Sequence, residues 1–410
     1  MNYEEEKRHS LRYVRLPSLW EVSIFLLLIY AFYFQYGVRS ISNAMLGLNG
    51  ICILFGMANI LAGVYKGKKT FYTWIIMFVV VSLLLGMVFG VSFDTSLDTG
   101  IHMMEYCLTG LSIYFFCTSH ENGYKKVLFF TWLSILLLAI NVLLNKTGVD
   151  YSGGAIGAVG LNTNEMSSFF ILMVFCAFNL LEETNNKLQK LVIWASILLM
   201  FFTQIQSASR RGFIVMVFMI VMNIIFVSIP YNNQDSSRRR LVVYSLIILA
   251  GAIAFVGLRD YIFNSTVLGE RLSGSMTGGD AARARYHAFA FEQFKNHPLF
   301  GVGVGGIDYL QGVYSHSLYY ETISCTGVIG ASILLISFII PAKKLVKSIR
   351  VRRLEIHNQD KEPYLNRILL VYLVGMLISG FAVVMIYDFY FYISLSLIAA
   401  GIYLNSKAVS

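Results

Sequence analysis

Residues 280–330 read DAARARYHAFAFEQFKNHPLFGVGVGGIDYLQGVYSHSLYYETISCTGVIG. No other polar-rich passage in this apolar chain is as long. It carries three of the seven histidines, His287, His297 and His316, with Arg283 and Arg285 two residues apart. Glycines crowd positions 301, 303, 305 and 306. From Ser317 the sequence returns to an apolar run. Long apolar runs also precede the passage, so it reads as a segment held at one face of a membrane by the helices around it.

Composition points the same way. The 410 residues are 57% hydrophobic and only 13% charged, where soluble domains carry about 25% charged residues. A chain this apolar cannot hide its side chains in one soluble core, so the expected fold is all-α and polytopic. The net charge of +9 lies mostly in short loops between apolar runs. That is the pattern of cytoplasmic loops, and no basic surface interleaved with aromatics suggests a nucleic-acid partner. Cys52, Cys107, Cys117, Cys176 and Cys325 fall in or beside apolar runs without a CxxC pair, and read as buried apolar thiols.

Stretches of about 20 apolar residues place twelve spans at 19–38, 42–64, 70–92, 99–118, 127–145, 164–181, 191–208, 212–229, 241–258, 317–340, 365–386 and 387–404. The fourth contains His102 and Glu105, and the last two meet at Tyr387-Asp388 with almost no loop. The chain then divides into a tail (1–18), spans one to nine (19–258), a large loop (259–316), spans ten to twelve (317–404) and a short tail (405–410). The N-terminal tail is too charged for a signal peptide, so the first span is expected to stay as an anchor. Lys7 to Arg15, Lys66 to Lys69, Lys125 and Lys126, Lys187 and Lys190, Arg238 to Arg240, Lys343 to Arg353 and Lys407 all fall on one side if the spans alternate. That side is the cytoplasm, with both termini in it. The 259–316 loop, the 145–165 segment and the Ser209-Arg210-Arg211 break then face outward.

Several of these polar residues suit chemistry. Gln204 to Gly212 interrupts an apolar stretch with two adjacent arginines. An arginine within a span costs on the order of 2.5–3.5 kcal/mol and tends to face a polar cavity. Arg210 and Arg211 are either turn residues at headgroup level or an anion clamp, since the guanidinium fork fits a phosphate. Their outward position runs against the positive-inside bias and favours the clamp. The spacing predicts a helix over 281–296 with Phe289, Phe291 and Phe294 on its apolar side. Arg283 and His287 share one face of it. The helix either lies on headgroups or lays its arginines over a cavity. The glycines of 301–306 match neither a P-loop nor a dinucleotide fingerprint and read as a tight turn. His316, at the mouth of the tenth span, is either a hydrogen-bonded interface residue or a general base. His287, His297, His316, Asp280 and Asp308 share a loop, but their spacings match no metal site.

These motifs resemble the O-antigen polymerase and O-antigen ligase superfamily. The resemblance rests on Arg283, His297-Pro298-Leu299-Phe300-Gly301-Val302-Gly303, His316 opening a span, and Gly327 and Gly330. Gly160-Leu161-Asn162-Thr163-Asn164-Glu165 is similar to the family's Asn-Pro-Asn-Glu, and Ser209-Arg210-Arg211-Gly212 to its Ser-Arg-x-Gly. Thr163 stands for the proline, His297 for the first asparagine of the turn and Ser317 for the asparagine after the histidine. His287 occupies an aromatic position. The resemblance covers roughly 145–335.

It implies transfer of a glycan from an undecaprenyl-pyrophosphate-linked oligosaccharide at the outer face of the bacterial cytoplasmic membrane, inverting and without metal or nucleotide cofactor. Arg210 and Arg283, with His316 as base, would be catalytic. Arg211, Arg285, Asn164, Glu165, Tyr319 and His287 would bind or support substrate. The expected partners are the lipid-linked oligosaccharide and membrane lipid, with a flippase and a chain-length regulator beside them. A polysaccharide polymerase is the leading reading. A ligase acting on lipid A core or another acceptor comes next, then a lipid-linked oligosaccharide flippase. A purely structural anchor would leave the polar cluster unexplained.

Overall fold

A computed structural model describes residues 18–37, 43–62, 71–145, 163–227, 268, 281–355 and 364–407. Every regular element among them is helical. Before the undescribed 228–267 segment come α1 (Leu19–Ile29, continued by a π-helical turn at Tyr30–Phe34 and a short helical stretch at Gln35–Gly37), α2 (Ala44–Leu61), α3 (Tyr72–Phe89), α4 (Phe93–Ser119), α5 (Gly123–Asn145), α6 (Thr163–Glu183), α7 (Lys187–Gln206) and α8 (Arg210–Val227). Five follow it: α9 (Ala281–Asn296), α10 (Gly306–Gln311), α11 (Leu318–Glu355), α12 (Tyr364–Ser379) and α13 (Phe389–Lys407). Among the described residues, seven helices are long and apolar enough to cross a membrane, and Leu19–Phe34 and Leu365–Ser379 are shorter apolar helices. The protein is a polytopic all-α membrane protein. Helices occupy eleven of the twelve expected span positions; the ninth, 241–258, lies outside the described residues.

α6 is the centre of the bundle. In its apolar stretch 89% of residues are buried within the protein, against 17% in α2. α6 packs on α5, α7, α8 and α12, while α4 packs on α2, α3 and α13. α2 turns Leu46, Ile51, Leu54 and Met57 outward. An apolar exterior is expected where lipid, not water, is the solvent. All five cysteines are free and buried.

Two helix ends differ from the sequence reading. α4 starts at Phe93 instead of 99, because Ser92 caps it by accepting the Thr95 N–H at 3.2 Å. Asp94 in the first turn suits the positive end of the helix. α12 stops at Ser379 instead of 386, and a link over 380–388 with a 3₁₀ turn at Met385–Tyr387 joins it to α13. The Gly380 carbonyl there accepts the Leu318 N–H at 2.8 Å. It thereby satisfies a donor that the start of α11 leaves open.

The glycine turn has a structural task in α11. Gly327 adopts φ 59°, ψ −167°, which interrupts the helix. A regular helix would bond the N–H of Val328 to Ser324 and that of Ile329 to Cys325. Instead the Ser324 and Cys325 carbonyls accept Val302 and Gly303, each at 2.9 Å. Val328 and Ile329 donate to the carbonyls of Pro298 at 2.9 Å and Leu299 at 3.4 Å. The turn supplies the partners that the broken helix lacks, which is how irregular backbone is tolerated at membrane depth.

Candidate active site

The Ser209-Arg210-Arg211 break separates α7 from α8. Gln204 braces it, donating to the hydroxyls of Ser167 at 3.0 Å and Ser207 at 3.1 Å and to the Ser209 carbonyl at 3.2 Å. The Ser209 hydroxyl donates to Asn164 Oδ1 at 2.8 Å. A side chain at Gly212 would meet Ser167, so only glycine lets α8 approach α6 this closely. Asn164 therefore holds the break to the start of α6.

Arg211 is the arginine that turns inward. It is 9% exposed, whereas Arg210 is half-buried. Its Nη2 donates to the Asn164 carbonyl and, at 3.1 Å, to the Ser168 hydroxyl. Its Nε and Nη1 are buried donors with no hydrogen-bond partner among the described residues. Arg283, Glu165, Asp388 and Tyr390 all lie within electrostatic reach of it. Two cations and two carboxylates thus share one place, contributed by α6, α8, α9 and the start of α13.

A cleft of about 70 Å³ opens beside this group, lined by Tyr36, Tyr106, Glu165, Phe169, Asp388 and Tyr390, among others. Close packing around Asp388 and the Glu165 carboxylate push its pKa well above the usual range, with Arg211 pulling the other way. Sequence alone does not single out Asp388, Tyr36 or Tyr106. The one signal in it is an aspartate between two apolar runs, at Tyr387-Asp388.

α9 lies across the start of α11. The Tyr286 ring sits 5.6 Å from that of His316, and His287 stacks on Tyr320 at 4.5 Å. Burial first, then the charge of Arg283, depress the His287 pKa, while a hydrogen bond to the Ser315 backbone opposes them. His287 and Arg283 share a face, as their spacing predicts. The three phenylalanines do not form one apolar side. Phe289 packs with Ala290, Val302 and Cys325, while Phe291 is exposed and lies under the Lys295 amino group. Residues two apart on a helix point about 200° apart, so 289 and 291 cannot both face inward. Arg285 is exposed for the same reason, away from Arg283.

His316 is half-buried and has φ 59°. A left-handed conformation costs a non-glycine residue on the order of 1–2 kcal/mol and persists only where its surroundings impose it. They do here. Ser315 Oγ donates to the Ser317 carbonyl at 3.0 Å, and Ser317 Oγ donates to the Gly380 carbonyl at 3.3 Å. The Tyr314 ring is 4.6 Å away. Tyr319 points elsewhere, its hydroxyl donating to the Leu377 carbonyl at 2.6 Å, so it ties α11 to the end of α12.

Fold and site together define an integral membrane protein with a polar, arginine-bearing cluster at the ends of its helices. Residues 195–335 match the family model described as O-antigen ligase. That segment holds the arginine break, α9, the glycine turn and His316. The match supports the O-antigen polymerase and ligase superfamily, whose members are glycosyltransferase-like membrane enzymes. No curated protein matches the chain.

Proposed function

We propose that the protein is a polymerase of cell-surface polysaccharide in the bacterial cytoplasmic membrane. It transfers glycan from undecaprenyl pyrophosphate to a sugar hydroxyl of another lipid-linked repeat unit at the outer face. The observation that carries this reading is Arg211: a buried guanidinium with two donors left over, close to the like charge of Arg283. Buried donors ask for acceptors, and the oxygens of a pyrophosphate supply them.

The chemistry follows from charge. As the bond from the anomeric carbon to the pyrophosphate oxygen breaks, negative charge grows on the leaving group. Donors already in place stabilise it without reorganisation. Arg211 and Arg283 fill that role, with Arg210 flanking. On the opposite side of the anomeric carbon His316 takes the proton of the acceptor hydroxyl as its oxygen attacks. One displacement inverts the centre. Glu165, lining the cleft, accepts hydrogen bonds from sugar hydroxyls.

The test is transfer by purified protein supplied with lipid-linked repeat units and EDTA, run beside His316→Ala. A ladder of longer glycans from the wild type, absent in the variant, is expected. A ladder that EDTA abolishes, or one the variant also makes, overturns the mechanism. The ligase reading is favoured by the description of the matching family model. It predicts no ladder, but transfer once lipid A core or another acceptor is added. Movement of lipid-linked glycan across vesicles without any transfer would replace both readings with a flippase.

A further inference from the structure

The turn that carries His316 is held by a carboxyl that the proposed chemistry does not use. Glu321 lies in the first turn of α11 and is fully buried. Its Oε2 accepts the Ser315 N–H at 2.8 Å. Its Oε1 accepts the Tyr387 hydroxyl at 3.3 Å and the Cys325 thiol at 3.5 Å. The Tyr387 oxygen in turn accepts the Gly305 N–H at 3.1 Å. One carboxyl thus joins the loop before α11, α11 itself, the 380–388 link and the glycine turn.

Two of those stretches border the site. Ser315 precedes His316, whose left-handed backbone needs external support. Tyr387 precedes Asp388, which lines the cleft. A carboxyl buried in a membrane protein is expensive, and such groups tend to be kept for function. We infer that Glu321 is a positioning residue, whose two oxygens set the His316 turn on one side and, through Tyr387, the Asp388 edge of the cleft on the other. The inference rests on His316 acting as the base.

An acceptor is needed at both oxygens, because the Ser315 N–H donates to one and the Tyr387 hydroxyl and Cys325 thiol to the other. Glutamine keeps the volume and one accepting oxygen, but its amide nitrogen donates. Glu321→Gln therefore holds one side of the arrangement and releases the other.

The experiment uses the full chain and lipid-linked repeat units, with kcat, KM and the folded fraction by size exclusion read for each variant. Glu321→Gln is expected to fold and to keep KM, while kcat per folded molecule falls on the order of ten- to hundred-fold, as small misplacements of a catalytic group do. Tyr387→Phe is expected to lower kcat less. The double variant should be no worse than Glu321→Gln alone, since both cut one linkage. Wild-type kcat per folded molecule in Glu321→Gln overturns the inference. So do additive effects of the two substitutions. Should Glu321→Gln not fold, Tyr387→Phe decides: lowered kcat at constant KM supports the linkage and unchanged kcat sinks it. His316→Ala in the same assay separates the two claims. If it is inactive while Glu321→Gln turns over normally, the base reading survives and the positioning role falls. If it is active, both fall.

Discussion

Gly327→Ala puts the repaired break in α11 to a direct test. At φ 59°, ψ −167° the backbone occupies a region essentially reserved for glycine, and an alanine there costs about 1–3 kcal/mol. Space adds to this. A Cβ would meet the Leu299 carbonyl and lie 2.6 Å from the Phe300 nitrogen. Both are backbone atoms, so no rotamer change relieves the contact. Non-bonded heavy atoms settle near 3.5–4.0 Å, so the turn must move away by about 1 Å. The bonds of Val302, Gly303 and Val328, now each 2.9 Å, would then pass the limit of a hydrogen bond. At about 0.5–1.5 kcal/mol each, these with the strain give a loss of about 2.5–7.5 kcal/mol. The assay is thermal unfolding in detergent, beside Gly47→Ala. Gly47 is helical, and a Cβ added to it would meet nothing within 4 Å, so alanine there should stabilise by about 0.5–1 kcal/mol. A Gly327→Ala protein that melts with the wild type would refute the account of the break.

Arg283→Lys should lower transfer by about ten-fold or more, since a point charge does not replace a bidentate fork; Arg285→Ala, at an exposed position, should turn over like wild type in the same assay. Tyr319→Phe removes the donor to the Leu377 carbonyl and should cost about 1 kcal/mol of stability, read as a lower melting temperature with kcat per folded molecule unchanged. His287 has a depressed pKa, so between that value and its ordinary value of about 6.5 the folded protein binds fewer protons than the unfolded chain. Stability therefore rises with pH across that window, is fully present above it and is lost as pH falls; melting curves at several pH values should show this, and His287→Gln should flatten the dependence.

Much of this arrangement is legible in local sequence. The Gln204–Gly212 break, the glycine turn under a helix and the histidine that opens α11 are short patterns whose reading needs no distant partner. What cannot be read locally depends on packing. Arg210 and Arg211 are neighbours that project about 100° apart on a helix, and only the approach of α8 to α6 at Gly212 turns Arg211 inward. Asp388 reads in sequence as a joint between two spans. It becomes part of the site because α12 ends early and the 380–388 link brings it beside Glu165. Glu321 is one letter in the run after His316, but its partner Tyr387 comes from elsewhere in the chain. The three phenylalanines of α9 mislead because composition counts them together where helical phase separates them.

The site is built where helices begin. α6 starts with Asn164 and Glu165, α8 with Arg210 and Arg211, α9 with Arg283 and α13 just after Asp388. The start of α11 follows His316. A helix start leaves N–H groups unpaired and carries partial positive charge, the two features that make it receptive to phosphate. In a membrane the same choice solves a second problem. Charged groups at mid-span are costly, whereas groups at helix starts stay near the headgroup level while the apolar body of each helix keeps its place in the bundle. Breaking α11 at Gly327 and filling the break with the glycine turn extends the principle. It seats the loop that follows α9 inside the bundle, and so fixes the distance between Arg283 on α9 and His316 at the start of α11. A site made of loops alone would lack that support.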